Sequence, residues 1–305
     1  MVKWCTYLRS RLCVIAGLTR NPLHMMRLRV EPAMTGSSGR LRVEPAMTGS
    51  SSSSRLRVEP AMTGCAVLLF CLFAAFSDLS AQRRVTFTAS DGLEVTADLY
   101  LHDRGAPYII LLHQENGSRG EYREIAPRLQ RLGFNCLAVD LRSGRETNYV
   151  QNETAILAQR NSLPVSLIES EKDVRAAMEY IQNTSIRNRY IIFGSSFSAS
   201  LAMKLANQNW RVAGVIAFSP GEFFAPQSAK GWLTDFDRMV YVASTRQEQR
   251  FVEELVKDIP PQHITKYQSQ MRGASALFSE SPHSNENWMS LMLFINKVKE
   301  EYFEN

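Results

Sequence analysis

Ser196 lies in the pentapeptide Gly194-Ser195-Ser196-Phe197-Ser198, between a short apolar run and a helix-like run. A serine hydroxyl attacks an acyl carbon only when the backbone presents it and a base removes its proton. Upstream, Arg189-Tyr190-Ile191-Ile192-Phe193 is rich in β-formers and reads as a buried strand. Downstream, Ser198 to Ala206 carries Leu201 and Leu205 four apart among small residues, the pattern of a packed helix. A strand, a sharp turn and a helix, with small residues two before and two after a central serine, make a nucleophile elbow. Gly194 meets that requirement, and Ser198 replaces the more usual second glycine. A small-residue turn with a solvated serine is the plainer alternative.

The elements that must position this turn alternate β then α from Val85 onward. Val85–Ala89 and Leu93–Tyr100 flank the hairpin turn Ser90-Asp91-Gly92. Tyr108–His113 is a continuous apolar run, expected to be a central strand, and Tyr122–Leu132 has Ile125, Leu129 and Leu132 on one helical face. Phe134–Asp140 is a strand ending in an acid. Leu141–Ser170 is polar and reads as an inserted irregular loop or small cap. Asp173–Ile181 is a helix. Val212–Phe218, Met239–Ala243 and Ile264–Tyr267 are further strands, with helices near Phe251–Lys257 and Trp288–Val298. An antiparallel start followed by βα units predicts a mostly parallel central sheet with helices on both faces.

In this order the residues resemble the α/β-hydrolase fold, in particular the small dienelactone-hydrolase-like serine hydrolases, across nearly all of 82–305. The resemblance rests on Asp91-Gly92, Leu111-Leu112-His113-Gln114, Asp140-Leu141-Arg142-Ser143-Gly144, the elbow, and Phe218-Ser219-Pro220-Gly221. It implies Ser196 as nucleophile of an acyl-enzyme reaction on esters or related acyl compounds. It also implies oxyanion donors at the backbone N–H of Phe197 and at Gln114. His113 is expected to shape the Gln114 loop rather than act as base. An orienting acid is implied beyond Met239–Ala243, where Glu248 stands; a solvated residue in a first helical turn is the alternative. After the last strand this family carries His-Gly, and this chain reads Arg272-Gly273-Ala274-Ser275-Ala276-Leu277-Phe278. An arginine stays protonated and cannot serve as general base. His283, in Ser281-Pro282-His283-Ser284, is the histidine left in that loop to substitute; a surface histidine is the bland reading. If nothing substitutes, the chain is a catalytically impaired binding protein on a hydrolase scaffold. Arg272 would then pair with a carboxylate ligand or with Glu248. Phe223 and Phe224 are candidates to line an acyl pocket.

The formal charge of +5 belongs to the N-terminal tract, since residues 82–305 hold 25 basic and 26 acidic side chains. That balance gives no nucleic-acid surface. No His, Asp and Glu set has metal-ligand spacing and no Gly-rich phosphate loop occurs, so neither metal nor cofactor is expected. The partner is a small acyl molecule. Arg-Leu-Arg-Val-Glu-Pro-Ala-Met-Thr-Gly occurs three times, at Arg27–Gly36, Arg40–Gly49 and Arg55–Gly64, and residues 1–61 read as disordered, upstream of a later start at Met47 or Met62. Residues 62–81 resemble a signal peptide, with twelve apolar residues from Cys65 to Phe76. Cleavage after Ala81 would export the domain to a periplasmic or secreted location. An uncleaved anchor, the alternative, would be its one membrane contact. N-terminal sequencing that found residue 1 on the native protein would overturn both readings. With cleavage after Ala81, Cys136 would be the one cysteine retained, a small core residue.

Overall fold

The computed structural model describes residues 82–304; the repeat tract at 1–61 and the signal-like segment at 62–81 lie outside the described residues. Ten strands run through the domain: β1 Arg83–Thr88, β2 Glu94–Tyr100, β3 Tyr108–Leu112, β4 Asn135–Val139, β5 Glu146–Thr147, β6 Val150–Gln151, β7 Tyr190–Ser195, β8 Val212–Phe218, β9 Met239–Thr245 and β10 Ile264–Ser269. Six α-helices join them: α1 Ile125–Arg131, α2 Glu153–Arg160, α3 Ser170–Thr184, α4 Phe197–Asn207, α5 Gln249–Leu255 and α6 Ser284–Tyr302.

Eight strands form one sheet in the order β1-β2-β4-β3-β7-β8-β9-β10. The β1–β2 hairpin is antiparallel, β2 is antiparallel to β4, and every pair from β4 to β10 is parallel. Parallel strands need helical crossovers, which cover both faces and leave the strands no wet side. This is why β3, β4, β7 and β8 read as unbroken apolar runs, and all four are buried along their length. On one face Ile110, Ile192 and Val215 pack with α3 and α4 residues such as Val174 and Leu201. On the other, Ile109, Phe193 and Ile216 pack with α1 and α6 through Leu129, Leu291 and Phe294. The mostly parallel sheet with helices on both faces is the architecture expected from the sequence.

The expectation of an irregular segment at 141–170 is corrected. It holds the β5–β6 ribbon and helix α2, whose Thr154, Ala155 and Ala158 are buried. Asn152 nucleates the helix by accepting the Ala155 N–H at 2.8 Å, and its amide donates to the Leu141 carbonyl at 2.9 Å. The polar residues that suggested a loop are its cap and its outer face. Two further boundaries shift. The helix expected to start at Tyr122 begins at Ile125 behind a one-turn 3-10 helix, Arg119–Tyr122. Helix α6 starts at Ser284, four residues before the expected Trp288.

Candidate active site

Strand β7 runs straight into α4, and the residue between them takes the strain. Ser196 has φ 60° and ψ −121°, a region costly for any residue with a Cβ, on the order of 1–3 kcal/mol. Its N–H still donates to the Phe218 carbonyl at 2.8 Å, so the strand ladder holds the turn up to the serine itself. Its neighbours must be small. A Cβ at Gly194 would stand 2.5 Å from the Ala199 backbone nitrogen, closer than any real contact. Ser198 accepts the Ser195 N–H at 2.9 Å and donates to the Leu112 carbonyl at 2.8 Å. The serine in the second glycine's place thus ties the elbow to β3. Ser196 itself is 9% exposed, beside the first-turn N–H groups of α4, which have no partner within the helix. Phe197, whose N–H is the first of these, is fully buried as a side chain.

Glu248 stands at the N-terminus of α5, just beyond β9. Its Oε2 accepts from Ser219 Oγ at 2.9 Å, Thr245 Oγ1 at 2.9 Å and the Thr245 N–H at 3.0 Å. Its Oε1 is 2.8 Å from Arg272 Nε. Ser219 directly follows Phe218, whose carbonyl caps the Ser196 N–H, and Ser219 Oγ also accepts the Gly273 N–H at 2.9 Å. Ser196, Glu248 and Arg272 are therefore held beyond the carboxyl ends of β7, β9 and β10 through one hydrogen-bonded hub at the end of β8. Gly273 has φ 65°, and a Cβ there would lie 2.8 Å from Ser195 Oγ, so only glycine lets the Arg272 loop close against the elbow.

His283 is not brought to this cluster. It takes a left-handed conformation before α6, with Nδ1 3.6 Å from Glu286 Oε1 and its side chain 60% exposed. It lines a cleft with Arg128, Arg131 and Ser279. His113 is buried and hydrogen-bonded at both nitrogens: Nδ1 donates to the Gln114 carbonyl at 2.7 Å and Nε2 accepts the Leu141 N–H at 2.8 Å. Burial pushes its pKa down to about 4, so it is a neutral loop-forming residue. Gln114 turns out to be engaged: its backbone N–H donates to Glu121 Oε2 at 2.7 Å. Phe224 is buried, its ring 6.3 Å from Phe197 and 5.0 Å from Trp232, which makes it part of the packing under α4.

Ser195 and Ser219 stood within quoted motifs but were given no role in the sequence, and Glu121 was not singled out. Ser219 stood in plain sight beside Pro220 and Gly221, where two hydroxyl bonds to distant segments leave no local signature. Glu121 follows a glycine at a helix start, where a carboxylate is ordinarily solvated. Among the described residues no group of His, Cys, Asp and Glu could hold a metal ion, and no helix is long and apolar enough to cross a membrane.

Solved structures share this fold at low identity. A Pyrococcus furiosus esterase aligns over 73% of this chain and 91% of its own, at 13% identity and a TM-score of 0.54. A dienelactone hydrolase from Anabaena variabilis aligns over 73% and 98%, at 15% identity and a TM-score of 0.53. A 2,6-dihydroxy-pseudo-oxynicotine hydrolase aligns over 77% and 73%, at 13% identity and a TM-score of 0.56. No curated protein matches the chain in sequence. The family model described as alpha/beta hydrolase fold matches residues 107–290, more than half of the chain. That span runs from the start of β3 through the elbow and Glu248 into α6, and the chain belongs to the alpha/beta hydrolase fold family.

Proposed function

We propose that the Ser196 site binds a small acyl compound, an ester or the carboxylic acid derived from one, and that hydrolysis there is strongly impaired. The contact of 2.8 Å between Arg272 Nε and Glu248 Oε1 carries this reading. In a Ser-His-acid triad the acid orients an imidazole, which takes the serine proton and returns it to the leaving group. Here the acid orients a guanidinium, which has no lone pair to offer and stays charged at any ordinary pH. Losing the base costs on the order of a million-fold in a triad enzyme, with about 10³–10⁴ over water left from binding and the oxyanion donors. The remaining parts favour ligand recognition: a presented hydroxyl, helix N–H groups and a fixed cation, all of which suit an acyl oxygen or a carboxylate.

A second reading is a serine hydrolase working through an acyl-enzyme, and the strained backbone of Ser196 favours it. Strain of this kind persists where surrounding structure enforces it, and nucleophile elbows depend on it. His283 would then have to leave Glu286 and serve as base. A fluorophosphonate probe separates the two, with adducts located by mass spectrometry and Ser196→Ala as control. The expected result is no appreciable labelling of the wild-type protein and labelling at Ser196 once Arg272→His restores an imidazole opposite Glu248. Rapid wild-type labelling at Ser196 that is lost in His283→Ala would establish the hydrolase reading instead.

A further inference from the structure

Glu121 is a wholly buried acid with no cation beside it. It lies in the one-turn helix before α1, and its Oε2 accepts the Gln114 N–H at 2.7 Å. Its Oε1 has no hydrogen-bond partner within bonding distance. The Ser195 hydroxyl favours its charged form without a hydrogen bond to it, and Ser195 Oγ accepts the Ala274 N–H at 2.9 Å. The carboxyl group thus holds the loop after β3, and the residue before Ser196 holds the loop that carries Arg272.

A backbone donor committed to a buried carboxylate is not free for a ligand. The Gln114 N–H belongs to the loop that supplies the second oxyanion donor in hydrolases of this fold, and here it points inward to Glu121. We propose that Glu121 is a positioning residue whose protonation state sets whether the Gln114 N–H is held inside or released to a ligand oxyanion at Ser196. This rests on the reading of Ser196 as a ligand site. An ionised Glu121 is the stronger acceptor and keeps the N–H. A protonated Glu121 is a weak acceptor. Burial pushes the Glu121 pKa up to about 7, against the opposing pull of the Gln114 N–H and the Ser195 hydroxyl, so both forms are populated near neutrality.

The surrounding charged and titratable groups are otherwise occupied. Arg119, in the same turn, is held by Asp98, Asp140 and Glu153. The Tyr122 hydroxyl donates to the Leu112 carbonyl at 2.6 Å. His113 is neutral, Cys136 on β4 is a thiol that burial keeps protonated, and Tyr108 on β3 packs in the opposite core layer. Arg128 of α1 stacks over Trp288, Arg272 is on Glu248, and Arg131 and Glu146 are exposed.

The test follows the Gln114 amide in the ¹⁵N-labelled full chain between pH 5.5 and 8.5, with no ligand present. The wild type is expected to show a Gln114 proton shift titrating with a midpoint near 7. Its hydrogen-exchange protection factor should be about tenfold higher at pH 8.5 than at pH 5.5, as expected when one hydrogen bond of roughly 1.4 kcal/mol is gained. Glu121→Gln should flatten both profiles. A Gln114 shift that does not titrate overturns the proposal, and so does a titrating shift with an unchanged protection factor. The wild-type measurement stands by itself if Glu121→Gln fails to fold. Fluorophosphonate labelling of Ser196 tests the ligand-site reading separately, so the two can fail independently.

Discussion

At the residue scale the informative position is Ser196, because its backbone is more telling than its side chain. Any L-residue pays for φ 60° and ψ −121°, and only glycine escapes that cost. Ser196→Gly should therefore be more stable than Ser196→Ala by about 1–2 kcal/mol in urea denaturation, the reverse of the order at an ordinary position. Equal stabilities would mean that the turn relaxes once the serine is gone. The serine and its flanking small residues were legible in the sequence, since only small side chains fit a turn this tight. The Arg272–Glu248 pair was legible as one of two alternatives, while the Ser219 bond to Glu248 and the Gln114 bond to Glu121 were not. No local pattern encodes which carboxyl ends up beside a guanidinium and which is buried against a backbone N–H.

At the element scale the site is made by strand ends meeting loops. Ser198 shows how: in place of a second glycine it spans from the Ser195 N–H to the Leu112 carbonyl and welds β7 to β3. Ser198→Ala should cost about 1–2 kcal/mol, because the buried Ser195 N–H loses its acceptor while the Leu112 carbonyl keeps the Tyr122 hydroxyl. A cost below about 0.5 kcal/mol in chemical denaturation would show that the glycine-like role is all that matters. Continuous apolar runs located the central strands, because a parallel strand covered on both faces has no polar side to show. The α2 segment defeated the same logic. Its buried residues are the small Thr154, Ala155 and Ala158, with Ile156 and Leu157 only partly buried, so no strong apolar period shows, and its start is set by the Asn152 cap and by contacts with β2.

At the scale of the whole molecule two buried arginines fasten the first hairpin and the α2 region to the sheet. Arg142 bridges Asp91, in the hairpin turn, at 2.5 Å and Asp173, on α3, at 2.8 Å. Arg119 reaches Asp98 on β2, Asp140 after β4 and Glu153 on α2. The motifs Asp91-Gly92 and Asp140-Leu141-Arg142 that marked the family are therefore structural, holding distant elements in place around the site. Arg142→Met should destabilise the fold by about 3–5 kcal/mol, since Asp173 would be left buried without its cation. The double variant Arg142→Met with Asp173→Asn should recover part of that loss. A single variant as stable as wild type in thermal and urea unfolding would rule out a fastening role for the pair.

Strand, turn and helix around Ser196, the parallel core and an arginine at 272 were determined by the sequence alone, and the resemblance to the hydrolases matched that arginine to their histidine. Each depends on residue type and short-range order: β-branched runs, small residues at a sharp turn, and a guanidinium that cannot lose its proton. Only the tertiary structure decided what those residues meet. It set Arg272 on Glu248, kept His283 with Glu286, and turned the Gln114 N–H inward to a buried acid. These pairings join loops at the carboxyl ends of different strands. Their energy comes from burial and from charge brought together by the sheet, neither of which exists until the chain has folded.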